Sequence, residues 1–190
     1  NDVEIITENW LEEMLQLCQQ KDVGMVGAKL YYPDDTIQHA GVVVGLGGVA
    51  AHVLCKLPRD AEGYMGRLRC VQEISAVTAA CMMVKTSVFK AVGGFDEELK
   101  VAFNDIDLCM KVRKYGVKIV FTPYAELYHY ESKSRGMEDT PEKQLRFSRE
   151  VNCFRRKWER ELLKGDPYYN PNLTLNNTDC SLRKQEKNGD

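Results

Sequence analysis

In the run Phe103-Asn104-Asp105-Ile106-Asp107-Leu108-Cys109, two carboxylates fall where the spacing predicts the start of an amphipathic helix. A carboxylate there is held in one place, and the helix N-terminus favours its charged form. That suits a general base taking a proton from a hydroxyl. The same spacing fits plain capping, with Asn104 or Asp105 as the cap and Asp107 in the first turn. His129, between Tyr128 and Tyr130 at the end of a strand-like segment, is either a hydrogen-bonded structural imidazole or one ligand of a divalent-metal site. Asp2 and Glu4 form a D-x-E pair that aims two carboxylates the same way. Lys133 and Arg135, in a polar loop after His129, either clamp a diphosphate or belong to a solvated loop. Gly45-Leu46-Gly47-Gly48 lacks the G-x-G-x-x-G spacing of a dinucleotide fingerprint and reads as a turn.

These residues need elements to position them. The chain of 190 residues, 44% hydrophobic, is enough for one domain with a sizeable core. Its net charge of -2, with both signs interspersed, disfavours capture of nucleic acid. No apolar run approaches the roughly 20 residues that span a bilayer, and no signal peptide is visible. The opening Asn1-Asp2-Val3-Glu4, without an initiator methionine, reads as a piece of a longer protein. The cysteines at 18, 55, 70, 81, 109, 153 and 180 form no C-x-x-C pair. That argues against a zinc ribbon and for buried free thiols in a reducing cytoplasm.

A strand is expected to end near Ile6, and Thr7 to cap a helix with a broad apolar face of Trp10, Leu11, Met14, Leu15, Leu17 and Cys18. Met25 to Tyr32 reads as a strand closed by Pro33-Asp34-Asp35. Residues 37–54 read as strand, loop and strand with His39 and His52 at the edges, and 57–69 as a loop. Ile74 to Val84 reads as a buried strand, and Thr86 as the cap of a short helix ending at Gly93. The helix after Phe103 should bury Leu108, Val112 and Tyr115 and close at Gly116. Val117 to Thr122 reads as a strand stopped by Pro123, with Tyr124 to Tyr130 extended beyond it. Thr140-Pro141-Glu142 should open one long helix to Gly165 that buries Phe147, Val151, Phe154, Trp158 and Leu162. Residues 1–165 form the expected domain, and 166–190 a tail that wraps over it or is mobile.

Several stretches, taken in order, are recognisable. They are Asn1-Asp2-Val3-Glu4 with Asn9-Trp10-Leu11-Glu12, Val26-Gly27-Ala28-Lys29-Leu30-Tyr31 with Thr36-Ile37-Gln38-His39-Ala40-Gly41, and Ala79-Ala80-Cys81-Met82-Met83-Val84. Gly93-Gly94-Phe95-Asp96-Glu97, Asn104-Asp105-Ile106-Asp107-Leu108-Cys109, Leu127-Tyr128-His129 and Asp166-Pro167-Tyr168-Tyr169-Asn170-Pro171-Asn172 follow. In this pattern the chain resembles the bacterial family 2 glycosyltransferases, α/β enzymes of the GT-A type with a mixed sheet flanked by helices. The resemblance begins in the middle of that family's domain, so the N-terminal, nucleotide-binding half is expected to lie upstream, and the 190 residues alone to turn over little or not at all.

The resemblance implies transfer, with inversion, of a sugar from a nucleoside-diphosphate-sugar donor to a glycan or lipid-linked acceptor. Asp105 matches the family's catalytic base, with Asn104 where a Glu is more usual. Asp2 matches the last Asp of the metal-binding D-x-D element, Glu4 is its neighbour toward the cofactor, and His129 is the late ligand to a Mg²⁺ or Mn²⁺ ion. Lys133 and Arg135 belong to the loop over the diphosphate. Gly94, Phe95 and Asp96, Ala79 and Ala80, and Asn104 and Asp107 are expected on the substrate side. A cytoplasmic location follows, or one at the inner face of the membrane through peripheral association. The alternatives are a non-catalytic carbohydrate-binding or assembly module and a sugar nucleotidyltransferase. The spatial expectation is that Asp2, Asp105 and His129 converge on one open cleft.

Overall fold

Nine consecutive residues from Val23 to Tyr31 are buried, and the fold is built outward from that strand. The computed structural model describes residues 2–130 and 140–184. In chain order the elements are β1 (Val3–Ile5), α1 (Trp10–Cys18), β2 (Val23–Tyr31), β3 (Ile37–His39), β4 (Val42–Val44), β5 (Ala50–His52), β6 (Gln72–Glu73), β7 (Met82–Val84), α2 (Thr86–Ala91), α3 (Asn104–Tyr115), β8 (Lys118–His129), α4 (Pro141–Lys157) and α5 (Glu159–Lys164). Short 3₁₀ segments lie at Leu46–Gly48, Tyr64–Arg69 (kinked at Met65 and Gly66) and Ala79–Cys81.

β2 and β8 run parallel at the centre of a mixed sheet. The outer edge of β8 is covered in two pieces, by β6 near Phe121 and by β1 near His129, both antiparallel. β7 and β3 divide the outer edge of β2 in the same way. β4 and β5 form a separate hairpin around the Gly45–Gly48 turn. Helices cover both faces, as a parallel pair buried on both sides requires. On one face α1 packs Met14 and Cys18 against Val26, Ala28, Leu30, Ala125 and Leu127. On the other, Leu108, Cys109 and Val112 of α3 meet Met25, Ile119 and Phe121 in a core that extends to Phe154 and Trp158. The close approach of residues 74–77 to the sheet depends on Gly27, where an added Cβ would lie 2.2 Å from Val77 Cγ1. The architecture is a mixed α/β domain of the GT-A type.

Several local expectations yield to tertiary context. β8 does not end at Pro123 but continues to His129. Gly27 pairs with Phe121 and Lys29 with Glu126, so residues 122–125 are looped out of the ladder, where a missing N–H costs nothing. The expected strand over 74–84 is broken: Thr78 accepts a hydrogen bond from Ala80 N–H and caps the 3₁₀ turn, Met82–Val84 pairs with β2, and Ala76 makes an isolated bridge to Val42. Asn9 and Lys85, not Thr7 and Thr86, hold the N-cap positions of α1 and α2. Thr7 instead accepts from Glu126 N–H at 3.1 Å and ties α1 to the sheet. Leu11 and Leu15 are exposed, as is Tyr115, so the buried stripes of α1 and α3 are narrower than the sequence suggests. The long C-terminal helix breaks at Trp158 (φ -114°, ψ 22°), which turns the indole inward. Tyr169, Leu173 and Cys180 are buried, and Asp166 accepts from Val44 N–H at 2.8 Å. Of the seven cysteines, all free, Cys18, Cys109 and Cys180 are buried and Cys70 is exposed.

A polar network latches segment 57–69 to the sheet. Arg59 lies 4.8 Å over the Tyr31 ring and bridges Asp35 and Glu126 at 3.3 and 3.4 Å, while Tyr31 donates to Glu126. Beneath it the buried Lys29 ammonium donates to Leu68 O at 3.2 Å.

Candidate functional site

The residues singled out by sequence fall into three groups. The first is built by β1 and β8. Val3 pairs with His129, and Tyr130 N–H donates to Asp2 O at 2.7 Å. The ladder thus brings Asp2 and His129, from opposite parts of the chain, to neighbouring positions at one end of the sheet. Glu4 pairs with Tyr128 and accepts a hydrogen bond from the Tyr130 hydroxyl.

Gln38 orients His129. Its Nε2 donates to His129 O at 3.2 Å, which fixes the amide so that Oε1 faces His129 Nδ1 at 2.7 Å. Oε1 can only accept, so Nδ1 is the donor in this contact. A metal-ligating imidazole is commonly held in this way. Among the described residues no group of three or more side chains could by itself hold a metal ion. Asp2 and His129 bring one oxygen and one nitrogen donor to adjacent rungs of the β1–β8 ladder. Lys133 and Arg135 lie outside the described residues.

Gln38 is followed by the fully buried His39, whose Nδ1 lies 2.8 Å from His52 Nδ1 with the rings edge to face. As expected, His39 and His52 sit at strand edges, ending β3 and β5. Burial, with His52 and His129 nearby, holds its pKa well below the usual histidine value. The folded state keeps His39 neutral, whereas the unfolded chain takes up a proton below about pH 6.5, so stability falls as pH drops through that value. We expect the unfolding free energy from urea titration to decline from pH 7.5 to pH 5.5 by up to about 1.4 kcal/mol per pH unit, with the midpoint falling accordingly, and less steeply in His39→Gln. A midpoint equal at both pH values would contradict this.

The second group forms at the N-terminus of α3. Asp105, half-buried, accepts from Ala79 N–H at 3.1 Å through Oδ2 and from Ile106 N–H at 2.8 Å through Oδ1. The 3₁₀ turn carrying Ala79 and Ala80 is therefore held against the base candidate. Asn104 is half-buried beside it. Neither Asn104 nor Asp105 is the cap. That place is taken by Phe103, a non-glycine residue in the left-handed region (φ 62°).

The third group is structural. Asp107, expected on the substrate side, is fully buried. It accepts from Trp158 Nε1 at 2.8 Å and is paired with Lys157 at 2.8 Å and Lys111 at 3.3 Å. Lys111 also donates to Gly94 O, and Lys157 pairs with Asp96, holding its carboxyl below the usual aspartate range. The Gly94-Phe95-Asp96 turn is thereby pinned to α3 and α4, with the Phe95 ring against Phe89 but 47% exposed.

Sequence reasoning missed Glu150. It is 3% exposed and accepts from the N–H groups of Lys100 (3.1 Å), Val101 (3.3 Å) and Ala102 (2.8 Å). Its signal was present: it lies three residues from Phe147 and four from Phe154, on the face of α4 expected to be buried.

A family model described as glycosyltransferase-like family 2 matches residues 2–149. The chain belongs to this glycosyltransferase family. An uncharacterised protein of Sinorhizobium fredii is 58% identical over 183 residues, which cover 96% of this chain and 20% of that protein. The O-antigen biosynthesis protein RfbC of Myxococcus xanthus is 39% identical over 191 residues, covering 100% of the chain and 15% of RfbC. A Mycobacterium tuberculosis N-acetylglucosaminyl-diphospho-decaprenol L-rhamnosyltransferase is 36% identical over 62 residues, 33% of the chain and 20% of that enzyme. This family 2 chain thus spans a fifth or less of the length of these relatives. No helix among its described residues is long and apolar enough to cross a membrane.

Proposed function

We propose that this family 2 chain carries the acceptor-side chemistry of an inverting, metal-dependent transfer. The sugar moves from a nucleoside-diphosphate donor to a glycan or lipid-linked acceptor in polysaccharide synthesis. The observation that carries the reading is Asp105, a half-buried carboxylate at a helix start whose two oxygens are each held by a backbone N–H. In this reading the acceptor hydroxyl gives its proton to Asp105 as its oxygen attacks the anomeric carbon in line and the bond to the donor diphosphate breaks. Ala79 and Ala80 and the Gly94-Phe95-Asp96 turn, with Asn104, border the acceptor. Asp107 supports that border from within.

Asp2 and His129 are the residues that would hold a Mg²⁺ or Mn²⁺ ion, with Glu4 as their neighbour in β1; by the resemblance, Lys133 and Arg135 would contact the diphosphate. A bound divalent ion supplies Lewis-acid stabilisation of the leaving diphosphate. The names of RfbC and of the rhamnosyltransferase support a glycan or lipid-linked acceptor. Association with a membrane surface would bring the chain to a lipid-linked acceptor. Transfer is a property of the intact protein, and we expect the 190 residues alone to turn over little or not at all.

The test is a screen of the intact protein against nucleotide-sugars and glycan or lipid-linked acceptors, with and without Mn²⁺, with product configuration read by NMR. Mn²⁺-dependent transfer with inversion is expected. Glycan binding without transfer would mark a non-catalytic module, and pyrophosphate release from a sugar phosphate and a nucleoside triphosphate would mark a nucleotidyltransferase.

A further inference from the structure

We propose that Glu150 is a positioning residue that acts through the backbone of residues 100–103 to set Asp105. The inference rests on the reading of Asp105 as the base. Three consecutive N–H groups, those of Lys100, Val101 and Ala102, converge on the buried Glu150 carboxylate at 2.8–3.3 Å and form an anion-binding concavity around it. The next residue is Phe103 at φ 62°, a conformation that a bulky side chain keeps only where its surroundings impose it. Here α4 imposes it. The Phe103 ring lies 5.4 Å from Phe154 and 5.8 Å from Phe147, the residues that flank Glu150 on the same helix face. Phe103 O then accepts from Asp107 N–H at 2.8 Å, so its orientation sets the first turn of α3, on which Asp105 stands.

An apolar residue at position 150 would continue the Phe147–Phe154 stripe and avoid the cost of burying a carboxylate. It would also take the acceptor away from three part-buried N–H groups and release the chain just ahead of Asp105. The charge is thus spent on geometry. A small displacement of a reacting group is enough to cost about 100-fold in rate, so the position of this segment bears directly on turnover.

The experiment is a four-protein cycle in the intact enzyme: wild type, Glu150→Ala, Asp105→Asn and the double variant. Each is assayed for kcat, donor KM and amide exchange of residues 101–107. Glu150→Ala is expected to lower kcat by about 10- to 100-fold with donor KM within about 2-fold, and to raise exchange in that segment. Glu150→Gln, which keeps one acceptor oxygen, should recover part of the loss, and it replaces Glu150→Ala in the cycle if the latter does not fold. In the Asp105→Asn background the second change should remove little further activity, because the group it aims is already gone. The same fractional loss in both backgrounds, with Asp105→Asn itself impaired, overturns the positioning role and leaves the base. Near-normal turnover of Asp105→Asn overturns both.

Discussion

Asp105→Asn in the intact enzyme is expected to lower kcat at least about 100-fold while leaving donor binding unchanged, the usual scale for a general base. The substitution is nearly isosteric. Its amide oxygen can still accept from Ala79 N–H or Ile106 N–H, so the helix start and the 3₁₀ turn should keep their places. What is lost is the capacity to take a proton. A fall in kcat and kcat/KM together, with donor affinity intact, locates the loss in the transition state. Turnover near that of the wild type would remove Asp105 from the chemistry and leave it as a brace between α3 and the Ala79–Cys81 turn.

The second large effect concerns stability. Asp107→Ala is expected to destabilise the fold by about 3 kcal/mol, the lower end of the range for removing one partner from a buried ion pair. The lower end applies because Lys157 and Lys111 keep side-chain exposures of 33% and 19% and can recover water. The Trp158 indole N–H, buried against Asp107, would lose its acceptor as well. For a domain of this size the change corresponds to a melting temperature lower by roughly 6–12 °C. A shift below about 2 °C would mean that water replaces the carboxylate at little cost.

The contrast between these two aspartates shows what the sequence carried and what it did not. The body and C-terminus of helix α3 were legible, because its apolar spacing, first-turn acids, last-turn cations and terminal Gly116 are local signals. Asp105 and Asp107 share those signals equally. Only the third dimension separates them: the helix turns Asp105 toward the Ala79 turn and Asp107 inward to Trp158. The cap could not be read either. Phe103 holds that position because α4, far along the chain, supplies both a carboxylate for the preceding N–H groups and two rings for the side chain. The neighbourhood of Asp2 and His129 likewise depends on strand pairing across the chain, which no local pattern specifies. The resemblance pointed to both residues, and the β1–β8 register accounts for their proximity. Pro123 misled in the opposite sense: proline ordinarily ends a strand, yet here it falls in a stretch already looped out of the ladder.

The division of labour proposed for the site, with Asp2 and His129 toward the donor diphosphate and Asp105 toward the acceptor, is tested most directly by metal binding. Mn²⁺ binding to the intact protein, followed by electron paramagnetic resonance with and without a nucleoside diphosphate, would be compared for wild type, His129→Ala and Asp105→Asn. His129→Ala is expected to weaken Mn²⁺ binding at least about 10-fold, a scale reached even by losses outside the ligand shell. Asp105→Asn should leave it within about 2-fold, as befits a group that touches the acceptor and not the ion. Unchanged binding in His129→Ala, or equal weakening in both variants, would contradict the account.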